Sequence, residues 1–449
     1  MSSKDLCFDD KRLTLRQTLD LAVKHHSQGE LTRAAQIYDL ILSSYPNQPD
    51  ALHLLGVLYH EQGNNDRAAD LIEQALTSKN DFVEAHNNLG NIRKSMGHLD
   101  AAVDHFAKAI EIKHDYFNAH YNLANTFQQL GKFDSAIASF RTALSIMPDF
   151  FEAHSNLGVT LQTVGRLDEA VTHYHKALDI RADDAGTHLN LGKTLMAKGQ
   201  TVDAIACYQR VIQLSSGNER TSAELALAHL GVLQPPDRTP RNYIKTLYKG
   251  NVRNWNEFKL WDHEDETYRG HKMLVNVLRP ELTSRSNLRI LDVGCGTGVL
   301  GTFLRSYADT LGGIDLSPDM IEVARQSRLY DQLLEGDFTD PSITIDQRYD
   351  VLVLAAVAIH FSTLNLVFER SEQALDKNGL LALTIFINKD SEDFSIDSAG
   401  YFAHSADYVK KLAEAFGFCL LREAYGTHEI RDSQKIPGGG LVFIKNTPT

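Results

Sequence analysis

Cysteine, proline and tryptophan are scarce in this chain of 449 residues, with four, 11 and two copies respectively. Cys7, Cys207, Cys295 and Cys419 stand far apart without metal-ligand spacing. That excludes a zinc ribbon or a disulfide framework and implies a reducing compartment. Long apolar runs are missing as well. The longest, Val351 to Ile359, falls far short of the ~20 residues that cross a bilayer. The opening Met-Ser-Ser-Lys-Asp5 has no apolar signal core, so the expectation is a cytoplasmic protein without membrane contact. Positive charge is short too: 45 Lys and Arg against 58 Asp and Glu, a formal charge of −13. A nucleic-acid backbone demands clustered cations, so no such partner is expected. The length allows two or three domains, each with its own core.

What the chain does have is a repeat. Gly56, Gly90, Ala124, Gly158 and Gly192 recur every 34 residues, with Ala22 in the same register. Gly29, Gly63, Gly97, Gly131, Gly165 and Gly199 form a second series, and Ala34, Ala68, Ala102, Ala136, Ala170 and Ala204 a third. This period with small residues at these offsets resembles the tetratricopeptide repeat, a helix–turn–helix unit. The resemblance implies six units between about residues 15 and 218, the first glycines permitting close helix packing and the second lying in the turn. A single unit cannot bury its apolar face, but stacked units share a core in an all-α solenoid. A last helix, Ser222 to Leu230, is expected to cap it, closing a first domain over residues 13–232.

Asn88, Asn122, Asn156 and Asn190 recur at the same period, on the first helix of each unit. An amide offers a donor and an acceptor, so a row of them could grip the backbone of an extended polypeptide. The row is similar to the asparagine ladder of the protein O-GlcNAc transferases, over these repeats only. It could equally be a residue that hydrogen-bonds within the repeats and was copied by duplication. His86, His120, His154 and His188 share another register position, which the repeat family usually fills with a bulky aromatic. One metal ion would need them to converge at about 2.1 Å. Equivalent positions of successive repeats lie a helix-packing distance apart, so the expectation is packing and no metal.

Gln234-Pro-Pro-Asp-Arg-Thr-Pro240 cannot continue a helix and reads as a stiff linker over residues 233–242. Tyr243 to Leu278 is aromatic-rich, with Trp255, Phe258, Trp261 and Tyr268, and reads as a lid or as a helix pair packed on a sheet. From Leu288 strand and helix signals alternate, which predicts a parallel sheet covered on both faces. The strands are expected at 288–293, 311–314, 332–335, 351–355, 380–386, 418–423 and 441–445. Helices are expected at 299–307, after Ser317-Pro318 with Ser317 as cap, and at 406–416.

The most specific signal is Arg289-Ile-Leu-Asp-Val-Gly-Cys-Gly-Thr-Gly298, answered by Gly-Ile-Asp315. A buried strand ends at Asp292 and turns through Gly294, Gly296 and Gly298, where a Cβ would block a ligand. A second strand ends in Asp315, the placing of an acid that takes two ribose hydroxyls. Gly296-Thr-Gly298-Val-Leu-Gly301 also fits the dinucleotide pattern GxGxxG. That pattern seats a pyrophosphate on a helix N-terminus, which a carboxylate at the strand exit would repel, so a cationic ligand suits Asp292 better. The two strands resemble the cofactor site of class I S-adenosylmethionine-dependent methyltransferases. The order of elements resembles their Rossmann-like α/β fold with a seven-stranded sheet, over residues 243–449.

This resemblance implies S-adenosylmethionine as cofactor. Gly294, Gly296 and Gly298 would border its methionine moiety, with Asp292 drawn to the ammonium. Asp315 would take the ribose, Leu316 and Met320 the adenine, and Asp337 the adenine amino group beside Phe338. Ala355 and Ala356 would floor the site near the sulfonium. Arg269 could meet the cofactor carboxylate or be a surface charge. His360 and His404 are candidate bases for an acceptor that arrives protonated, and each could instead be a packing residue. The Asn/Asp-Pro-Pro-Tyr signature of amide and adenine N-methyltransferases is absent after the fourth strand, which reads Ala-Ala-Val-Ala-Ile-His360. With Tyr401 to Phe418 and the late Gly-Gly-Gly-Leu-Val-Phe443, the whole chain resembles bacterial predicted methyltransferases that carry a tetratricopeptide array. Three readings remain open. The acceptor is a polypeptide recruited by the groove, or a small-molecule acid or quinone-like compound with the array as a partner-binding arm. In the third, the chain is a scaffold with a vestigial site, against which the intact acids and glycines weigh.

Overall fold

A computed structural model of the chain describes residues 6–8, 11–249, 269–345, 347–389, 393–431 and 434–446. Trp255, Phe258, Trp261 and Tyr268 of the expected lid lie outside the described residues. The chain divides into two compact units, Met1–Cys207 and Tyr208–Thr449. Among the described residues no helix is long and apolar enough to cross a membrane.

The first unit opens with a short hairpin, β1 (Leu6–Phe8) and β2 (Lys11–Leu13), and continues as helix pairs. Leu15–Ser27 with Leu31–Ser44, Val83–Ser95 with Leu99–Ile112, and Phe151–Thr163 with Leu167–Ile180 set the pattern: 13 residues, then 14. The two glycine series serve different physical needs. At Gly63 and Gly165 φ is +80° and +77°, and an added Cβ would meet nothing. Only the backbone demands glycine there. The following N–H reaches back five residues, Asn64 to the Tyr59 carbonyl and Arg166 to that of Leu161, both at 2.9 Å, the hydrogen bond of a left-handed helix stop. The other series lacks room. A Cβ on Gly90 would stand 2.5 Å from the Phe106 ring, and one on Gly158 2.6 Å from Tyr174. Gly90→Val is therefore expected to lower the array's stability by about 1–3 kcal/mol through overpacking. A urea midpoint unchanged from wild type would refute that packing role. The alanine series, from Ala34 to Ala204, is fully buried.

The second unit holds a sheet of β3 (Leu288–Val293), β4 (Ala308–Asp315), β5 (Gln332–Glu335), β6 (Tyr349–Leu354), β7 (Leu375–Ile387), β8 (Phe394–Ile396), β9 (Phe402–His404), β10 (Phe418–Arg431) and β11 (Gln434–Lys445). The order β10-β11-β7-β6-β3-β4-β5 is parallel from β7 through β5, with β11 antiparallel to both its neighbours. Seven strands were expected and nine are present in this sheet among the described residues. The additions, β8 and β9, are three residues each and attach at the end of β7, too short to show a period. The helix expected at 299–307 shrinks to a single turn, Gly301–Leu304.

The strands β10 and β11 are also longer than expected, and Gly438, Gly439 and Gly440 lie within β11. They pair with Phe386, Ile385 and Thr384 of β7, and a Cβ on Gly438 would meet that of His428 at 2.4 Å. The unbroken apolar run of β6 reflects burial on both faces. Leu352 and Leu354 join Phe368 and Phe443 on one side, while Val351 and Val353 join Leu278 and Phe303 on the other.

The helix Asn218–His229, read above as a cap on the solenoid, packs within the second unit. Its Leu225 and Ala228 are buried with Ile396 and Phe402, and His229 donates through Nδ1 to the Ile396 carbonyl at 2.8 Å. The order of strands reverses between β3 and β6, which opens a crevice beyond their carboxyl ends.

Candidate functional site

That crevice is a cavity whose floor is built by the strand-end acids and glycines. Gly294 and Gly296 have φ of +70° and +54°, and a Cβ on Gly294 would stand 2.7 Å from Val357. The Gly296 N–H donates to Asp315 Oδ2 at 2.9 Å, and that of Ser317 to Oδ1 at 2.8 Å. Burial still outweighs these bonds and raises the Asp315 carboxyl. Asp292 is 1% exposed. Its Oδ2 accepts from the Tyr330 hydroxyl at 2.7 Å, while Oδ1 is buried without a partner among the described residues. Burial pushes this carboxyl up to about 7; the Tyr330 bond opposes the shift and nearby Asp315 adds to it. Two adjacent acids with no cation paired to them among the described residues form a place for a positive ligand.

Leu316, Met320, Phe338, Ala355 and Ala356 line the same cavity. Ala356 takes φ +57°, a strained position for a non-glycine residue, and its N–H is held by Thr384 Oγ1 at 2.9 Å. Asp337 also lines the cavity, but its oxygens are engaged. Oδ1 accepts from the Thr339 N–H and hydroxyl at 2.9 and 2.7 Å. Oδ2 sits 2.6 Å from both Arg238 and Arg241. Burial would raise its carboxyl, yet these partners together hold it below the usual range. The acid is thus committed to the protein itself rather than left open to an adenine amino group.

Part of the same lining comes from the segment expected to be a linker. Arg238 bridges Phe361 in antiparallel fashion, the Thr239 N–H donates to the His360 carbonyl at 2.8 Å, and that of Ser362 to the Asp237 carbonyl at 2.9 Å. The Arg238 guanidinium stacks on the Phe361 ring at 4.7 Å. This strap and the helix Arg241–Lys249 bring Ile244 and Tyr248 to the cavity beside Val357, His360 and Phe361. Tyr248 OH lies 3.0 Å from His360 Nε2, and His360 Nδ1 is sealed off without a partner. Burial foremost, then Arg238, pushes His360 down to about 4, so it stands neutral at physiological pH.

His404 does not line this cavity. It is fully buried and donates through Nε2 to the Phe361 carbonyl at 2.9 Å, which makes it a packing residue under the His360 loop. Arg269 caps the helix Gly270–Thr283, its N–H on the His428 carbonyl, and is not among the lining residues. Tyr330 escaped the sequence reading because no motif marks it. A trace was there: a Cβ on Gly301 would meet its hydroxyl at 2.6 Å, and one on Gly298 its ring at 3.1 Å, so glycines of the GxGxxG lookalike make room for this ring.

In the first unit the asparagine row is partly spent. Asn88 Nδ2 bonds His53 Nε2 at 2.8 Å, Asn122 donates to Asn87 at 3.0 Å, and Asn156 to Tyr121 and Asn125 at 3.2 and 2.9 Å. The carbonyl of Asn190 accepts from Thr194 at 2.8 Å, and no bond of its side chain is seen. Three of the four amides thus use their N–H groups between repeats.

Comparison with known proteins agrees with this architecture. A methyltransferase domain family matches residues 284–413. Tetratricopeptide repeat families match residues 25–92, 90–131, 124–165, 163–199 and 187–222. The chain carries a class I methyltransferase domain preceded by a run of tetratricopeptide repeats. A malonyl-[acyl-carrier protein] O-methyltransferase of Acetivibrio thermocellus is 36% identical over 120 residues, 26% of this chain and 42% of that protein. A mitochondrial ubiquinone biosynthesis O-methyltransferase of Candida albicans is 30% identical over 119 residues, 25% of this chain and 36% of that protein. The chain spans less than half the length of either relative. The crystal structure of MamA is 27% identical, covering 36% of this chain and 94% of that one with a TM-score of 0.34.

Proposed function

We propose that the second unit methylates an oxygen of a small, largely apolar acceptor with S-adenosylmethionine as donor. The observation that carries this is the make-up of one cavity: the buried acids Asp292 and Asp315, with no cation paired to them among the described residues, share it with the apolar Ile244, Val357 and Phe361 and with two neutral imidazoles, His271 and His360. The donor set fits that cofactor. Asp292 opposes its positive charge, Asp315 accepts from the ribose hydroxyls, and Leu316, Met320 and Phe338 enclose the adenine. Asp337 anchors the strap through Arg238 and Arg241 instead of reading the base. When bound, the cofactor supplies a methyl group on a sulfonium that leaves with its bonding pair, so the protein's work is positioning and exclusion of water. His360 takes the acceptor's proton at Nε2, with Tyr248 OH as the relay at 3.0 Å. A weak base suffices, because the acceptor oxygen becomes strongly acidic as its new C–O bond forms.

The O-methyltransferase relatives, one acting on a malonyl group carried by a protein and the other in ubiquinone biosynthesis, support oxygen as the accepting atom. A polypeptide acceptor held by the array keeps one observation in its favour. The side-chain oxygens of Asn122 and Asn156 accept no hydrogen bond from the described residues.

The test is incubation of the full chain with methyl-labelled S-adenosylmethionine and host extract, separating macromolecular from small-molecule label. Asp315→Ala, which loses the ribose contacts, is the blank. Label in small molecules supports the proposal. Label in protein that falls when Asn122 and Asn156 become Ala replaces it with the polypeptide reading, and no label above the blank leaves a scaffold.

A further inference from the structure

The histidines of the array, set aside as packing residues because successive repeats hold them too far apart, find their partners elsewhere. The fold brings a second position, 19 residues later and on the second helix of the same repeat, against the first. His86 Nδ1 lies 3.3 Å from His105 Nδ1, and His154 Nδ1 lies 3.0 Å from His173 Nδ1.

We propose that these two pairs, His86 with His105 and His154 with His173, are chelating sites for a divalent transition-metal ion of the zinc class, one ion to each pair. At metal–nitrogen distances of about 2.1 Å the two separations subtend angles of about 105° and about 90°, between tetrahedral and octahedral geometry. Orientation is built in. His86 Nε2 donates to the Asn80 carbonyl at 3.1 Å and His154 Nε2 to the Pro148 carbonyl at 2.8 Å. Each bond fixes the tautomer that leaves the Nδ1 lone pair toward the partner, as metal-binding histidines are commonly held. The partner ring needs only to move its own proton from Nδ1 to Nε2, a tautomer exchange that releases no proton.

Burial lowers all four imidazoles, His173 to about 4. Access exists at the second pair, where His154 and His173 line a surface groove together with Asp149, Asp179, Arg141 and Lys176. The two cations oppose an incoming ion and the two carboxylates offset them. Among the described residues no third histidine, cysteine or acid joins either pair, so water completes the coordination.

The array carries its own control. His120 makes the same Nε2 bond, to the His114 carbonyl at 2.9 Å, but Ser139 holds the partner's register position. Titration of the full chain with Zn²⁺ by calorimetry should show two saturable sites. His105→Ala and His173→Ala should each remove one, and His120→Ala neither. Ser139→His should add a site, which keeps the test decisive if a deletion variant unfolds. No saturable Zn²⁺ binding by the wild type, or a stoichiometry unmoved by both His105→Ala and Ser139→His, overturns the proposal and leaves the pairs as hydrogen-bonded packing.

Discussion

Asn at position 292 is expected to make the cofactor-free protein more stable while abolishing useful cofactor binding. Asp292 is 1% exposed, and no cation pairs with it among the described residues. Its folded-state carboxyl stands at about 7 against an ordinary 3.8. A raised carboxyl contributes stability that is fully present below the unfolded value and lost as pH rises through the folded one. Above pH 7 the empty protein therefore carries a buried charge that costs about 2–4 kcal/mol, and Asp292→Asn removes it. The cofactor's positive charge offsets the same cost when it binds, so the variant should bind S-adenosylmethionine about 100-fold more weakly or worse, roughly 2.7 kcal/mol or more. Wild-type affinity should fall as pH drops below about 7, where the carboxylate takes up its proton. Urea unfolding at pH 6 and pH 8.5 checks the first part; the variant's advantage must grow with pH. Calorimetric titration with the cofactor checks the second. A variant that is less stable at pH 8.5, or that binds the cofactor as tightly as wild type, refutes the account of the acidic floor.

Replacing His360 by Gln should lower kcat by about 10²- to 10⁴-fold and leave cofactor affinity within a factor of two or so. The imidazole lines the cavity and bonds Tyr248, not the strand-end acids or glycines. Its pH behaviour separates it from Asp292. A histidine held down to about 4 stays neutral, and able to take a proton, until pH falls through that value. So kcat should be flat across neutrality while kcat/KM for the cofactor shows an acid limb near 7 from Asp292. Tyr248→Phe should lower kcat without adding a limb, since it removes the relay hydroxyl and leaves the base. If His360→Gln changes cofactor affinity and kcat equally, the histidine supports the fold of the cavity and the base is elsewhere.

Much of this molecule was legible before folding, and for a common reason. The turn glycines Gly63 and Gly165 report a local backbone angle, and Gly90 and Gly158 report a helix contact repeated every 34 residues. A strand such as β3, Leu288–Val293, shows in its own apolar run, and Asp292 and Asp315 sit at strand ends that the local pattern marks. Backbone angle, period and strand exit are properties of a few consecutive residues, so composition and spacing determined them. Pairings across the fold were invisible. Tyr330 reaches Asp292 over 38 residues, and Arg238 reaches Asp337 and Phe361 from what looked like a proline-stiffened connection. Gly438 to Gly440 fell outside the expected strand because their need is for room beside other strands, not for an angle. The commitment of Asp337, the burial that sets Asp292 and His360 apart in charge, and the meeting of His154 with His173 are all consequences of desolvation and distance. Those quantities exist only once distant segments have packed, and only the tertiary structure decided them.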